Sequence, residues 1–200
     1  MIYSIYLNKI VKVFKLSVYI LTGQIGCGKS EAQKIFQNLK YSCFCADKIV
    51  RDLYKKDQVL CNIRQILPES IKDGKINFNL LRELIFTDNI VMKKIEDYIQ
   101  PLVFDEFQKI LKLYDDKTVL IFPTIKSIKI FGNHKTIYMY SDEKLRRKRI
   151  ESRNNYNKDI IDSIFIYQNS IDNYIDKSDF VIENNGSLKE LKEKILKIIK

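Results

Sequence analysis

Five short apolar runs of strand length, separated by stretches with helical periodicity, predict an α/β fold. A glycine-rich loop joins the first run to the first helix, and a long helical block separates the second run from the third. Together these features predict a sheet flanked by helices that takes its ligands at the edge carrying the loop.

The first run is Val18-Tyr19-Ile20-Leu21, and Gly23 to Ser30 then reads G-x-x-x-x-G-K-S. This is the phosphate-binding loop of nucleoside-triphosphate enzymes. Gly23, Gly26 and Gly28 let the backbone turn tightly and bring its N–H groups to phosphate oxygens. Lys29 supplies a mobile charge for the β- and γ-phosphates, and the Ser30 hydroxyl is placed to ligate Mg²⁺. Ala32, Ile35, Phe36 and Leu39 fall at i, i+3, i+4 and i+7, the stripe of an amphipathic helix whose positive end faces the same anion.

Tyr41 to Cys45 reads as the second strand. Asp47 follows on the edge where strand ends carry ligands. Two roles are open for it: the N-cap of the next helix, or a carboxylate facing the γ-phosphate that takes a proton from an attacking hydroxyl or helps hold Mg²⁺. Arg51, one helical turn on, points the same way and can bind a phosphate.

Residues 53–116 are mostly helical in pattern, interrupted by Pro68 and the Lys72-Asp73-Gly74-Lys75 turn. Asn79 to Phe86 is a short helix. Val91 to Tyr114 is a longer one, broken or started near Pro101. The block is too long for a plain crossover and reads as an inserted subdomain, either a holder for an acceptor substrate or a structural layer. Thr118 to Phe122 is a buried-type strand ending at Pro123, and Ile137 to Tyr140 is another. Lys126, Lys129 and a Phe131-Gly132-Asn133 turn lie between them. Asp142 to Arg153 is a basic helix on which Arg146, Arg149 and Arg153 share one face. That face suits either closure over phosphates or contact with solvent. Its charges carry no interleaved aromatics, which argues against a nucleic-acid surface. Ile160 to Ile175 is amphipathic and Phe180 to Ile182 is the last strand, turned by Asn184-Asn185-Gly186. Ser187 with Glu190 forms a capping box for a final helix with the stripe Leu188, Leu191, Ile195 and Ile198.

Two hundred residues hold one sizeable domain, and a hydrophobic content of 46% excludes a disordered chain. The formal charge of +10 suits an anionic partner. Usage rich in Ile, Lys, Asn and Tyr can also arise from an AT-rich genome, so the charge carries no functional weight. Cys43-x-Cys45 lacks the spacing of a zinc pair, and His134 is the single histidine. Cys27, Cys43, Cys45 and Cys61 therefore read as reduced thiols of a cytoplasmic protein. No apolar run reaches the ~18 residues of a membrane span. Residues 1–16 are apolar but interrupted by Lys9, Lys12 and Lys15, and they lack a small-residue cleavage site. A transit peptide, a membrane-surface helix and an over-long start all remain open for this extension. The expected assembly is a monomer or weak homo-oligomer without membrane or nucleic-acid partners.

The order of motifs resembles the dephospho-CoA kinase family. The matching residues are Leu21 to Ser30, Ala46-Asp47 with Ile49 and Arg51, Asp73-Gly74, Leu81-Arg82 with Ile85-Phe86, and Pro101-Leu102-Val103. Pro123, Arg149, Arg153, Gln168, Asp179, Val181-Ile182, Asn184 and Gly186 complete the series, and the likeness covers about residues 18–200. It implies a P-loop NTPase three-layer sandwich with a parallel five-stranded sheet. A helical CoA-binding insertion at about 53–116 and a basic lid at about 142–156 would belong to one domain, 17–200. The implied activity is ATP-dependent phosphorylation of the ribose 3′-hydroxyl of dephospho-CoA, with Mg²⁺. Asp47, Lys29 and Arg149 then take catalytic roles. Gly23, Gly26, Cys27, Gly28, Lys29, Ser30, Glu31, Arg153 and Asn184 bind ATP. Arg51, Arg82 and Gln100 face the acceptor, and Ser30 and Asp47 hold the metal.

The chain also departs from the family pattern. Gln24 replaces a loop glycine, Cys45 an aspartate, Gln100 a histidine and Arg146 a glutamine, while Thr124-Ile125-Lys126-Ser127 follows Pro123 where the family has L-L-F-E. These changes fall on the acceptor side more than on the ATP loop. Two alternatives therefore stand beside the first reading: a related nucleoside or nucleotide kinase with another acceptor, and a nucleotide-binding protein impaired in catalysis.

Overall fold

The structure, a computed structural model, describes residues 18–114, 117–123, 134–152, 158–171 and 175–200. The expectations for residues 1–16, Thr124 to Ser127, Lys129, the turn at Phe131 and Arg153 lie outside them.

Chain order is β1 (Val18–Thr22), α1 (Lys29–Asn38), β2 (Ser42–Cys45), α2 (Ala46–Leu53), α3 (Asp57–Ile66), β3 (Ile71–Lys72), β4 (Lys75–Ile76), α4 (Phe78–Thr87) and α5 (Asn89–Leu113). Then come β5 (Thr118–Ile121), β6 (Lys135–Tyr140), α6 (Glu143–Glu151), α7 (Lys158–Ile171), β7 (Phe180–Glu183) and α8 (Leu188–Ile198). Five strands form a sheet in the order β2-β5-β1-β6-β7, and every pairing is parallel. β1 lies at the centre with all five residues buried, so its apolar run is continuous rather than alternating.

The period of two decides what each residue of β1 touches. Val18 and Ile20, with Leu120 of β5, pack against Leu53, Ile63, Leu81 and Phe107 of the helical block. Tyr19 and Leu21, with Val119 and Ile121, pack on the other face against Phe36 of α1 and Leu191 and Ile195 of α8. The result is three layers: α1 and α8, the sheet, and α2 to α5. Leu21 and Cys45 both pair with Ile121, so the carboxyl ends of β1, β5 and β2 stand level on one edge.

Two local expectations are corrected, and the expected Lys72–Lys75 turn is found and refined. Pro101 neither breaks nor starts a helix, because α5 runs through it from Asn89 to Leu113. The apolar stripe Met92, Ile95, Ile99, Val103 and Phe107 is buried along that helix, and this packing outweighs one missing hydrogen bond. The Lys72–Lys75 turn belongs to a hairpin, with β3 paired antiparallel to β4. Asp73 and Gly74 both have positive φ, 49° and 72°, as a two-residue hairpin turn requires. Finally, α7 is described over Lys158–Ile171, and Ile175, expected at the end of an α-helix, lies in a 3₁₀ turn over Ile175–Lys177.

The capping box of α8 forms as predicted between Ser187 and Glu190. All four cysteines are free thiols. Among the described residues no helix is long and apolar enough to cross a membrane.

Candidate active site

The glycine loop after β1 takes its shape from contacts underneath it. Gly28 has φ of 102°, and a Cβ there would lie 2.2 Å from Asn184 Nδ2. At Gly23, with φ of 140°, a Cβ would meet the Met139 carbonyl oxygen at 2.2 Å. Only glycine accepts both the backbone angle and the proximity.

Side chains from distant segments then hold the loop by its backbone. Asn184 Nδ2 donates to the Cys27 carbonyl at 2.9 Å. Arg149 Nη1 donates to the Gly26 carbonyl at 3.3 Å and to Ser141 Oγ at 3.1 Å, while its Nη2 reaches the Asn184 carbonyl at 3.0 Å. Ser141 Oγ in turn donates to the Asn184 carbonyl at 2.6 Å. Arg146 donates from Nη1 to the Ile25 carbonyl at 3.4 Å and from Nε to the Ser141 carbonyl at 3.1 Å. Gln168 Oε1 accepts the Ile25 N–H at 2.7 Å. Lys29 Nζ donates to the Gly23 carbonyl and, at 3.0 Å, to that of Gln24.

A cleft of about 740 Å³ opens between this loop and the helical block. Gly26, Gly28, Lys29 and Ser30 line one side. Asp47 and Arg51 line it from α2, Arg82 from α4, Gln100 from α5, and Phe122 with Pro123 from the end of β5. Asp47 is not the N-cap: α2 begins at Ala46, its cap is Cys45, and no side chain caps it. That alternative falls, and the Asp47 carboxylate, exposed in the first turn of α2, lines the same cleft as Lys29 and Ser30. Burial pushes the Tyr54 hydroxyl in the same wall up to about 12.

Not every sequence-predicted residue reaches the cleft. Arg149 and Asn184 sit behind the loop and support it, and Cys27 is buried under it, 1% exposed. Glu31 pairs with Lys34 on the outer side of α1 at 3.0 Å. Arg146, read as facing phosphates or solvent, is 4% exposed and lies 4.6 Å over the Phe165 ring. Sequence reasoning missed Ser141 as a loop support. The available signal was a polar residue directly after a buried strand, on the ligand-bearing edge.

Ser30 and Asp47 offer exposed hard oxygens. Among the described residues no group of three or more His, Cys, Asp or Glu can hold a metal. This donor set fits Mg²⁺, which takes one or two protein oxygens and fills its shell with water and substrate phosphates.

A loop of this build, opening the helix after the central strand of a parallel sheet, defines a P-loop kinase. Solved structures share the fold. The match to TT1252 from Thermus thermophilus has a TM-score of 0.70 at 20% identity, covering 92% of this chain and 95% of that one. Dephospho-CoA kinase from Campylobacter jejuni gives 0.57 at 22% identity, with the same coverage. Shikimate kinase from Bacteroides thetaiotaomicron gives 0.57 at 11% identity, covering 92% of this chain and 98% of that one. Within the class the sequence is more specific: the model of the dephospho-CoA kinase family matches residues 17–190, and the chain belongs to that family. It is similar to the dephospho-CoA kinase of Fusobacterium nucleatum, 29% identical over 180 residues, or 88% of this chain and 93% of the relative. It is likewise similar to that of Rickettsia typhi, 28% identical over 194 residues, or 90% and 94%.

Proposed function

We infer that this protein transfers the γ-phosphoryl group of ATP to the ribose 3′-hydroxyl of dephospho-CoA, giving CoA and ADP. Family membership and the build of the loop support the reaction class. The observation that carries the reading is the shared cleft, which Lys29, Ser30, Asp47, Arg51, Arg82 and Gln100 all line.

The residues divide by chemistry. The backbone N–H groups of Gly26 and Gly28, which line the cleft, are offered to the phosphates, Gly23 and Cys27 shape the loop beneath them, and Lys29 follows the charge that develops on the phosphates. Asn184 serves the nucleotide side from behind, through the Cys27 carbonyl, and Arg153 is proposed beside it, whereas Glu31, paired with Lys34, takes no part. Asp47 accepts the proton of the attacking 3′-hydroxyl as that oxygen bonds to the γ-phosphorus and the bond to the β-γ bridging oxygen breaks, leaving ADP with the electron pair. Ser30 and Asp47 would hold Mg²⁺, which when bound neutralises charge on the β- and γ-oxygens. Arg51 and Arg82 pair with anionic groups of the acceptor, and Gln100 supplies neutral hydrogen bonds. Leu81, Ile85, Phe86 and Ile99 line the same wall and offer apolar surface to a flexible acyl-carrier arm. Arg149 acts from behind, holding the Gly26 carbonyl and with it the loop. Residues 17–200 form one kinase domain in this reading, with the helical block as its acceptor-binding insertion.

A coupled ADP-release assay with dephospho-CoA as the sole acceptor tests the proposal. Acceptor-dependent ADP release together with CoA formation is expected. Release with a different alcohol acceptor alone would assign the chain to a sister kinase. Tight ATP binding without product on any acceptor would leave a binding protein.

A further inference from the structure

Three consecutive residues of α7 reach two different walls of the site. Tyr167 Oη donates to Glu96 Oε1 of α5 at 2.6 Å. Gln168 Oε1 accepts the Ile25 N–H at 2.7 Å, and Asn169 Oδ1 accepts from Gln24 Nε2 at 3.0 Å. One short piece of helix thus grips the acceptor-side wall with one residue and the first half of the phosphate loop with the next two. Glu96 and Gln168 line the cleft, whereas Tyr167 stands outside it. Glu96 lies one turn before Gln100, so the two share a face of α5. Gln168 is 7% exposed and cannot swing aside without leaving a buried carboxamide unpaired. The Tyr167 ring also meets Phe86 of α4 at 6.2 Å, which fixes the helix against the insertion at a second point.

We propose that Tyr167 is a positioning residue that couples the acceptor and nucleotide sites: α7 carries any displacement of α5 to the phosphate loop through the Glu96–Tyr167 and Gln168–Ile25 hydrogen bonds. The proposal rests on the two-substrate reading above. A helix transmits such a displacement as a rigid body because its own backbone bonds hold 1.5 Å per residue. The bond to Glu96 is short and charge-assisted, and therefore directional. An acceptor that seats against Glu96 and Gln100 shifts α5, and through α7 it resets the Ile25 amide at the rim of the loop. Linkage makes the effect reciprocal: the acceptor tightens nucleotide by the factor by which nucleotide tightens the acceptor.

The test is calorimetric titration of the full chain with a non-hydrolysable ATP analogue, with and without saturating dephospho-CoA. In the wild type the acceptor raises nucleotide affinity by about fivefold or more. Tyr167→Phe removes one hydroxyl, keeps the ring against Phe86, and brings that ratio to within about twofold of one while each binary affinity stays near wild type. Glu96→Gln keeps an acceptor oxygen and retains most of the ratio. A merely structural role for Tyr167 would lower the binary affinities and leave the ratio intact, and that result overturns the proposal. A second arm uses no ligand: hydrogen exchange in a peptide spanning Gln24 to Gly28 quickens by about threefold or more in Tyr167→Phe. Unchanged exchange there overturns the relay. If the wild type does not bind dephospho-CoA at all, the functional reading falls while the exchange arm still decides for or against the relay.

Discussion

Replacing Gly28 by alanine should destabilise the protein far more than one added methyl suggests. Two terms contribute, and the structure separates them. The residue has φ of 102°, a left-handed conformation that costs an L side chain about 1–2 kcal/mol. The new Cβ would also lie 2.2 Å from Asn184 Nδ2. Asn184 must then withdraw its amide, breaking the 2.9 Å bond to the Cys27 carbonyl and leaving a buried donor unpaired at about 1–3 kcal/mol. The sum is about 2–5 kcal/mol, or roughly 4–20 °C in Tm for a chain of this length. Gly74→Ala is the control: φ there is also positive, 72°, but a Cβ would meet nothing within 4 Å, so only the conformational cost of about 1–2 kcal/mol remains. Thermal melts followed by circular dichroism read both variants. The contact is further isolated by Gly28→Ala combined with Asn184→Ala, which should cost less than the two single changes added together. A Gly28→Ala protein melting no lower than Gly74→Ala, or a strictly additive double variant, would refute the account of the loop.

Three more outcomes follow from the site and its surroundings. Asp47→Asn should lower kcat by about 10²–10⁴ while ATP affinity, read by titration, changes little; undiminished ADP release would remove Asp47 from the proton transfer. Native protein should show one fast thiol with Ellman's reagent, abolished by Cys61→Ser. Cys61 is exposed and Cys27 buried, burial pushes the Cys43 thiol up to about 11, and burial followed by the Asp47 charge raises that of Cys45. For Tyr54 the folded value of about 12 exceeds the ordinary value of 10.0, so its stabilising contribution is complete below pH ~10 and is lost as pH rises toward 12. That amounts to about 2–3 kcal/mol at most. Urea midpoints at pH 8 and pH 11.5 should converge in Tyr54→Phe relative to wild type, and equal losses in both proteins would count against it.

What was legible in the sequence were features whose cause is local. The strands announced themselves because a parallel sheet buries both faces, so Val18 to Leu21 and Thr118 to Phe122 read as unbroken apolar runs. The phosphate loop is a glycine pattern set by backbone angles, and the α8 capping box is a pair of side chains three residues apart. Pro101 misled because a proline's local penalty is visible in sequence, whereas the stripe from Met92 to Phe107 stabilises α5 only once it meets α2, α3 and α4. Asp47 was ambiguous because one carboxylate at a strand end serves a cap or a ligand equally well. The start of α2 at Ala46 removed the cap role.

Arg146 exposes the remaining gap, and it bears on how this chain differs from its relatives. By spacing it belongs with Arg149 on a basic face, and its charge invites a role against phosphates. Instead the guanidinium is buried over Phe165 and donates to the carbonyls of Ile25 and Ser141. A buried cation needs its donors occupied and its charge offset, and here carbonyl oxygens and the face of a ring supply both. Arg146, Arg149, Ser141, Gln168 and Asn184 come from three separated segments, yet all of them bond to the phosphate loop or to one another. The eight residues from Gly23 to Ser30 therefore do not carry the geometry of the loop by themselves. They permit it, and these side chains select it. Arginine at position 146, where the family pattern resembled by this sequence has glutamine, is consequently a support of the loop, bonded to the Ile25 and Ser141 carbonyls, rather than a residue of the cleft.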